Sequence, residues 1–169
     1  IVRDVCKNLA DQEVLTGVNL KIKRGETLVI IGQSGCGKSV LLKHIIGLMH
    51  PDSGEIVVDG HLLHELNIRD HEALLAKFGM LFQGAALFDS LTIAENIAFR
   101  QIRERRMSRK QLLRLVDEKL ALVGLSDIKH LKPAELSGGM QKRVGLARAI
   151  ASDPEFILYD EPTTGLDPI

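Results

Sequence analysis

Gly32-Gln33-Ser34-Gly35-Cys36-Gly37-Lys38-Ser39 decides the fold, because it fits the spacing G-x-x-x-x-G-K-[ST] and lies between an apolar run and an apolar-periodic segment. The run before it, Thr-Leu-Val-Ile-Ile at 27–31, reads as a strand buried on both faces of a parallel sheet. The segment after it reads as a helix from residue 38 through 46, stopped by Gly47. Glycines let successive backbone N–H groups turn toward one anion, and a helix N-terminus adds partial positive charge at the same place. The stretch therefore predicts a nucleoside-triphosphate cradle in which Gly32, Gln33, Ser34, Gly35, Cys36 and Gly37 wrap phosphate. Lys38 reaches the outer phosphates and the Ser39 hydroxyl ligates Mg²⁺. A flexible Gly/Ser loop carrying a surface lysine is the competing reading; the flanking strand and helix patterns argue against it.

Working outward, Phe156-Ile157-Leu158-Tyr159 reads as a second apolar strand, and it runs directly into Asp160 and Glu161. The carboxyl edge of an open α/β sheet is where ligands bind. Asp160 is thus expected to meet the Mg²⁺ held by Ser39, and Glu161 to act as general base on the attacking water, or to orient it. A solvated acidic turn before Pro162 is the bland alternative. Gln83 follows the apolar strand 78–82, which puts it on the same edge; without the other motifs an ordinary loop glutamine is the leading reading. Leu136-Ser137-Gly138-Gly139-Met140-Gln141 opens another helix, so Ser137, Gly138 and Gly139 form a second anion cradle at a helix N-terminus.

Phosphate loop, Gln83, LSGGMQ at 136–141, FILYDEP at 156–162 and Gly165-Leu166-Asp167, in that order, resemble the nucleotide-binding domain of ABC transporter ATPases across nearly the whole chain. The resemblance implies an α/β P-loop NTPase (RecA-like) core with a small antiparallel β subdomain and an inserted α-helical subdomain. The core would comprise residues 1–83 and 142–169, and the helical subdomain with the signature motif residues 84–141. It further implies a head-to-tail dimer with a second copy of the domain, each ATP held between residues 32–39 of one copy and Ser137, Gly138 and Gly139 of the other. Gln83 would sense Mg²⁺ and the attacking water, Asp167 would communicate between the two facing sites, and ATP hydrolysis would drive transport through a transmembrane permease subunit.

The patterning fits such a two-lobe organisation. Residues 14–22 and 55–58 read as short alternating strands of an antiparallel patch. Between Gln83 and Leu136 the pattern turns helical: Ser108 and Gln111 have capping-box spacing, and Leu112, Leu113, Leu115, Val116, Leu120 and Val123 form an apolar stripe ended by Gly124. Residues 85–92 place apolar side chains just after Gln83. In the family this surface receives a coupling helix of the permease, although Leu87 and Phe88 could instead fill a local core. The wording LFQGAALFDSLTIAENIAF at 81–99 is similar to the ATPases of Mla-type phospholipid transporters.

Composition narrows the partners. Lys plus Arg and Asp plus Glu each number 22, which gives no basic surface for nucleic acid. Two cysteines, Cys6 and Cys36, one of them inside the phosphate loop, argue against a structural disulfide and for a reducing compartment. No apolar run reaches the roughly 20 residues that span a bilayer. The resemblance implies a peripheral location, on the cytoplasmic face of the inner or plasma membrane through the permease, with no direct insertion. His61 and His64 read as a solvated pair rather than a metal site, and Arg103-Glu104-Arg105-Arg106 as a hydrated helix end.

Two departures from the family pattern stand out. Leu9 occupies the position where an aromatic residue usually stacks on adenine, and it offers only apolar contact. The chain starts at Ile1 and stops at Ile169, before the family's further core strand and its histidine at the terminal phosphate, so an excerpt with an exposed apolar edge, weak nucleotide binding and little hydrolysis is expected. Two other functions fit parts of the pattern. One is a soluble ABC ATPase of translation or DNA repair, which usually carries a second cassette or a long coiled-coil insertion; the other is a nucleotide-binding module without hydrolysis, against which Glu161 argues.

Overall fold

A computed structural model describes residues 1–105 and 107–161. The chain forms two compact units, Ile1–Leu75 and Ala76–Ile169.

The first unit is built on an antiparallel sheet of order β2-β1-β3-β4, comprising β1 (Val2–Leu9), β2 (Gln12–Leu20), β3 (Ser53–Val58) and β4 (His61–Leu62). Register is set by apolar partners: Val2 faces Leu20 on one side and Ile56 on the other, and Val5 faces Val18. Helix α1 (Lys38–Ile45) packs on β3, and α2 (Ile68–Leu75) closes the unit. Val2, Val5, Leu15, Leu41, Leu42, Ile45, Ile56 and Leu74 form its buried interior. Strand β1 lies outside the sequence expectation, because its polar residues Arg3, Asp4, Lys7 and Asn8 mask the alternation. Arg3 pairs with Glu55 and Lys7 with Asp52 across the sheet.

The expected strand at 27–31 is a correction. These residues form no ladder among the described residues, and Val29 and Ile31 are 73% and 91% exposed. An apolar run becomes a strand only where a neighbouring strand takes its N–H and C=O groups. Neither β2 nor β3 does so here.

The second unit carries the parallel pair β5 (Phe78–Leu81) and β6 (Phe156–Tyr159), in register Phe78 to Phe156 through Leu81 to Tyr159, with the two phenylalanine rings stacked at 4.9 Å. Around it lie α3 (Ile93–Ile97), α4 (Phe99–Glu104), α5 (Arg109–Leu122) and α6 (Gly138–Ala149). Ser108 caps α5 with Gln111 as read from sequence, and a second box, Thr92 with Glu95, caps α3. Ile93, Ile97, Val116, Leu120, Val144 and Ala147 make the core. Each buried isoleucine, valine or leucine among them contributes roughly 1.5–3 kcal/mol. Of the predicted stripe, Leu113 turns out exposed, on the flank of α5. Lys119, buried on α5, donates to Asp153 at 2.7 Å, which raises its pKa and offsets the cost of burial.

Candidate nucleotide and catalytic site

The phosphate loop lies wholly in the first unit. Gly37 is the N-cap of α1 at φ 93, a left-handed conformation that suits glycine. A Cβ there would come within 2.9 Å of the Val14 carbonyl, so the loop can press against β2 only with glycine at this position. No acidic side chain occupies the first turn of α1 to neutralise its dipole. Lys38 Nζ folds back over the loop and donates to the carbonyls of Gly32 at 3.0 Å and Gln33 at 2.8 Å. Its ammonium thus sits above the backbone that the sequence reading assigned to phosphate. Ser39 follows it in the first helical turn, and Gln33, Ser34, Gly35 and Cys36 are exposed along the loop. Leu9, the position facing adenine in the sequence reading, is 39% exposed at the end of β1.

The acidic half lies in the second unit. Asp160 N donates to Leu81 O at 2.9 Å, extending the parallel ladder by one residue and burying Asp160. Glu161 and Gln83 emerge at the same strand ends, where Gln83 Nε2 donates to Glu161 Oε2 at 2.8 Å. Glu161 adopts φ 48. Such a conformation costs a non-glycine residue roughly 1–2 kcal/mol and recurs at functional sites. Ser39 in the first unit and Gln83 and Asp160 in the second each carry an oxygen donor, the atom type that suits a hard divalent cation such as Mg²⁺. Among the described residues no group of three or more His, Cys, Asp or Glu could hold a metal by itself, His61 and His64 included.

Ser137, Gly138 and Gly139 stand at the start of α6. The Ser137 hydroxyl accepts from Met140 N at 3.3 Å, and Gln141 Nε2 braces the turn on the carbonyls of Pro133 and Leu136. As in α1, the first turn carries no acid. Asp167 lies outside the described residues.

Sequence reasoning missed what holds the loop after Gln83. Asn96, fully buried on α3, accepts from Phe88 N at 2.7 Å and donates to the carbonyls of Phe88, Leu91 and Thr92. Arg148, near the end of α6, donates to the carbonyls of Ala85 and Ala86, both at 2.7 Å. Burial lowers the Arg148 pKa from its usual range. Leu87 packs on the core, as the local-core reading expects, while Phe88 stays 44% exposed and stacks on Phe99 at 4.6 Å. The T-x-x-E spacing of Thr92 and Glu95 was a readable signal; nothing in the sequence marks Arg148.

Comparison with known proteins bears on the chain as a whole. The ABC transporter family profile matches residues 15–164. The chain is 47% identical over 174 residues to protein trigalactosyldiacylglycerol 3, chloroplastic, of Arabidopsis thaliana, covering 99% of this chain and 50% of that protein. It is 43% identical over 169 residues to the intermembrane phospholipid transport system ATP-binding protein MlaF of Haemophilus influenzae, covering 99% of this chain and 64% of that one. A solved dimeric, post-hydrolysis ATP-binding cassette, MJ0796 bound to ADP and phosphate, superposes with a TM-score of 0.90 at 36% identity, covering 98% of this chain and 75% of that one. The chain thus spans half the length of the Arabidopsis relative and under two thirds of the Haemophilus one.

Proposed function

Because the chain belongs to the ABC transporter family, whose profile matches residues 15–164, we propose that it is the ATP-binding and ATP-hydrolysing part of a transporter that moves lipid. The hydrogen bond from Gln83 to Glu161 at the carboxyl end of the parallel pair carries this reading, because it holds an acid and an amide where a water must be oriented. In this reading residues 32–37 and Lys38 bind the triphosphate. Ser39, Asp160 and Gln83 supply oxygen donors for Mg²⁺, which when bound offsets charge on the outer phosphates. Gln83 orients the Glu161 carboxylate, and that carboxylate accepts the proton of the attacking water.

Ser137, Gly138 and Gly139 act on the nucleotide of a second copy in a head-to-tail dimer, with Asp167 linking the two sites; the dimeric state of the MJ0796 cassette supports this arrangement. Residues 1–83 and 142–169 form the nucleotide core and 84–141 the helical insert, whose face at 85–92 receives a transmembrane permease. No helix among the described residues is long and apolar enough to cross a membrane. In this reading a permease supplies the attachment to the cytoplasmic face of the membrane. Lipid as cargo is supported by the likeness to the intermembrane phospholipid transport ATP-binding protein MlaF, at 43% identity.

Glu161→Gln in the complete protein tests the enzymatic reading. Loss of ATP hydrolysis with accumulation of an ATP-bound dimer supports it, and unchanged turnover refutes it. Co-purification of a permease that carries phospholipid tests the cargo, and a permease selective for another solute overturns it.

A further inference from the structure

Resting on the reading of Gln83 as an oriented catalytic group, we infer that Arg148 is a positioning residue that locks the loop after Gln83 onto the signature helix α6. Ala85 and Ala86 lie at φ 59 and φ 49, two consecutive non-glycine residues in the left-handed region. Such a pair persists only where its surroundings over-determine it. Two short backbone bonds begin the turn, Ala85 N to Phe82 O at 2.9 Å and Ala86 N to Gly84 O at 2.7 Å. The turn's own outward carbonyls are then taken, one each, by the two terminal nitrogens of Arg148 at 2.7 Å.

A planar fork suits two adjacent carbonyls, and a lysine ammonium, a point donor on a flexible stem, does not reproduce it. The guanidinium also lies 6.0 Å from the Phe88 ring centroid. Helix α6 presses directly on this turn: a Cβ at Gly145 would come within 3.0 Å of Ala85 Cβ. Arg148 lies about 15 Å along the helix axis from Gly138, at about 1.5 Å per residue. The helix that opens with Ser137 is thereby tied near its far end to the backbone two and three residues after Gln83. A shift of α6 moves the Ala85 and Ala86 carbonyls, and the position of Gln83 follows.

The experiment pairs hydrogen exchange with steady-state ATPase kinetics on the complete protein. Arg148→Ala is expected to speed amide exchange across residues 84–88 by at least tenfold and to lower kcat about tenfold, with KM for ATP within twofold. Arg148→Lys falls between it and the parent, and it carries the same readout if the alanine variant does not fold. Ala86→Gly placed in the Arg148→Ala background restores part of kcat, because glycine holds the left-handed turn without the fork; a merely structural arginine gives no such rescue. Unchanged exchange in a folded variant overturns the inference, as does a kcat loss that Ala86→Gly leaves untouched. Gln83→Ala is the control: if it leaves kcat unchanged, the functional reading of Gln83 falls, while the exchange data decide the Arg148 lock on their own.

Discussion

Gln83 and Glu161, 78 residues apart in the chain, meet side chain to side chain, with Gln83 Nε2 donating to Glu161 Oε2 at 2.8 Å. The parallel register of β5 and β6 produces the meeting, since Leu81 faces Tyr159 and both strands end at the same edge. An amide donor fixes one carboxylate oxygen and so aims the group. Replacing Glu161 by Gln keeps the shape and removes the basicity, so kcat for ATP is expected to fall by about 10²–10⁴, the range for loss of a general base. Gln83→Ala keeps the base and loses its orientation, and should cost less. Steady-state hydrolysis of both variants in the complete protein gives the order, and a larger loss for Gln83→Ala would assign the chemistry differently.

Lys38 gives a binding prediction. Its ammonium bonds to the neutral carbonyls of Gly32 and Gln33, and a phosphate oxygen is a stronger, charged acceptor for the same group. Hydrogen bonds to charged groups contribute about 1.5–3 kcal/mol, so Lys38→Ala should weaken ATP binding by about 10- to 100-fold at the usual conversion. Titration with a non-hydrolysable ATP analogue measures it, and unchanged affinity would mean that this loop does not hold the triphosphate.

What could be read from sequence divides along a physical line. The helix start at Lys38, the end of β6 just before Asp160 and the Ser137 cap of α6 are local patterns, in which a few adjacent residues carry the geometry, and each was legible. Residues 27–31 misled, because their apolarity is local but a strand is a relation between two segments. Arg148 was invisible for the same reason: its role exists only because the turn at Ala85 and Ala86 comes within reach of α6. Strand β1 went unread where cross-strand partners, Glu55 and Asp52, satisfy charges that look like loop residues in isolation.

The run at 27–31, which pairs with no strand among the described residues, also predicts behaviour in solution. Val29 and Ile31 present contiguous apolar surface, and exposed apolar patches drive association. Ile31→Thr in the polypeptide of residues 1–169 should reduce self-association, seen as a lower weight-average mass by light scattering, without lowering Tm. A fall in Tm of several degrees would show that Ile31 is buried in solution.

Core packing in the second unit is tested at Ile97, 1% exposed and seated with Ile93, Val116, Leu120 and Val144. Truncation to alanine leaves a cavity among side chains already in contact, at a cost of roughly 2–5 kcal/mol. Thermal unfolding of Ile97→Ala should show Tm lowered by about 5 °C or more. A loss that small buried positions elsewhere match equally would be expected; no loss at all would remove this cluster as the centre of the unit.

The Thr92–Glu95 box adds a pH dependence of defined sign. The Glu95 carboxylate accepts from Thr92 N and from the Thr92 hydroxyl, both at 2.8 Å, and these bonds, the backbone one foremost, hold its pKa below the usual glutamate range. A carboxyl whose folded pKa is depressed stabilises the fold above its unfolded pKa, and that contribution drains away as pH falls through the folded value. Stability of α3, which presents Asn96 to the loop after Gln83, should therefore decline below about pH 4.5 more steeply in the parent than in Glu95→Gln. The glutamine variant retains a box acceptor with no charge to titrate. Urea unfolding of both proteins between pH 3 and pH 7 measures the difference, and parallel curves across that window would show that Glu95 does not contribute through its charge.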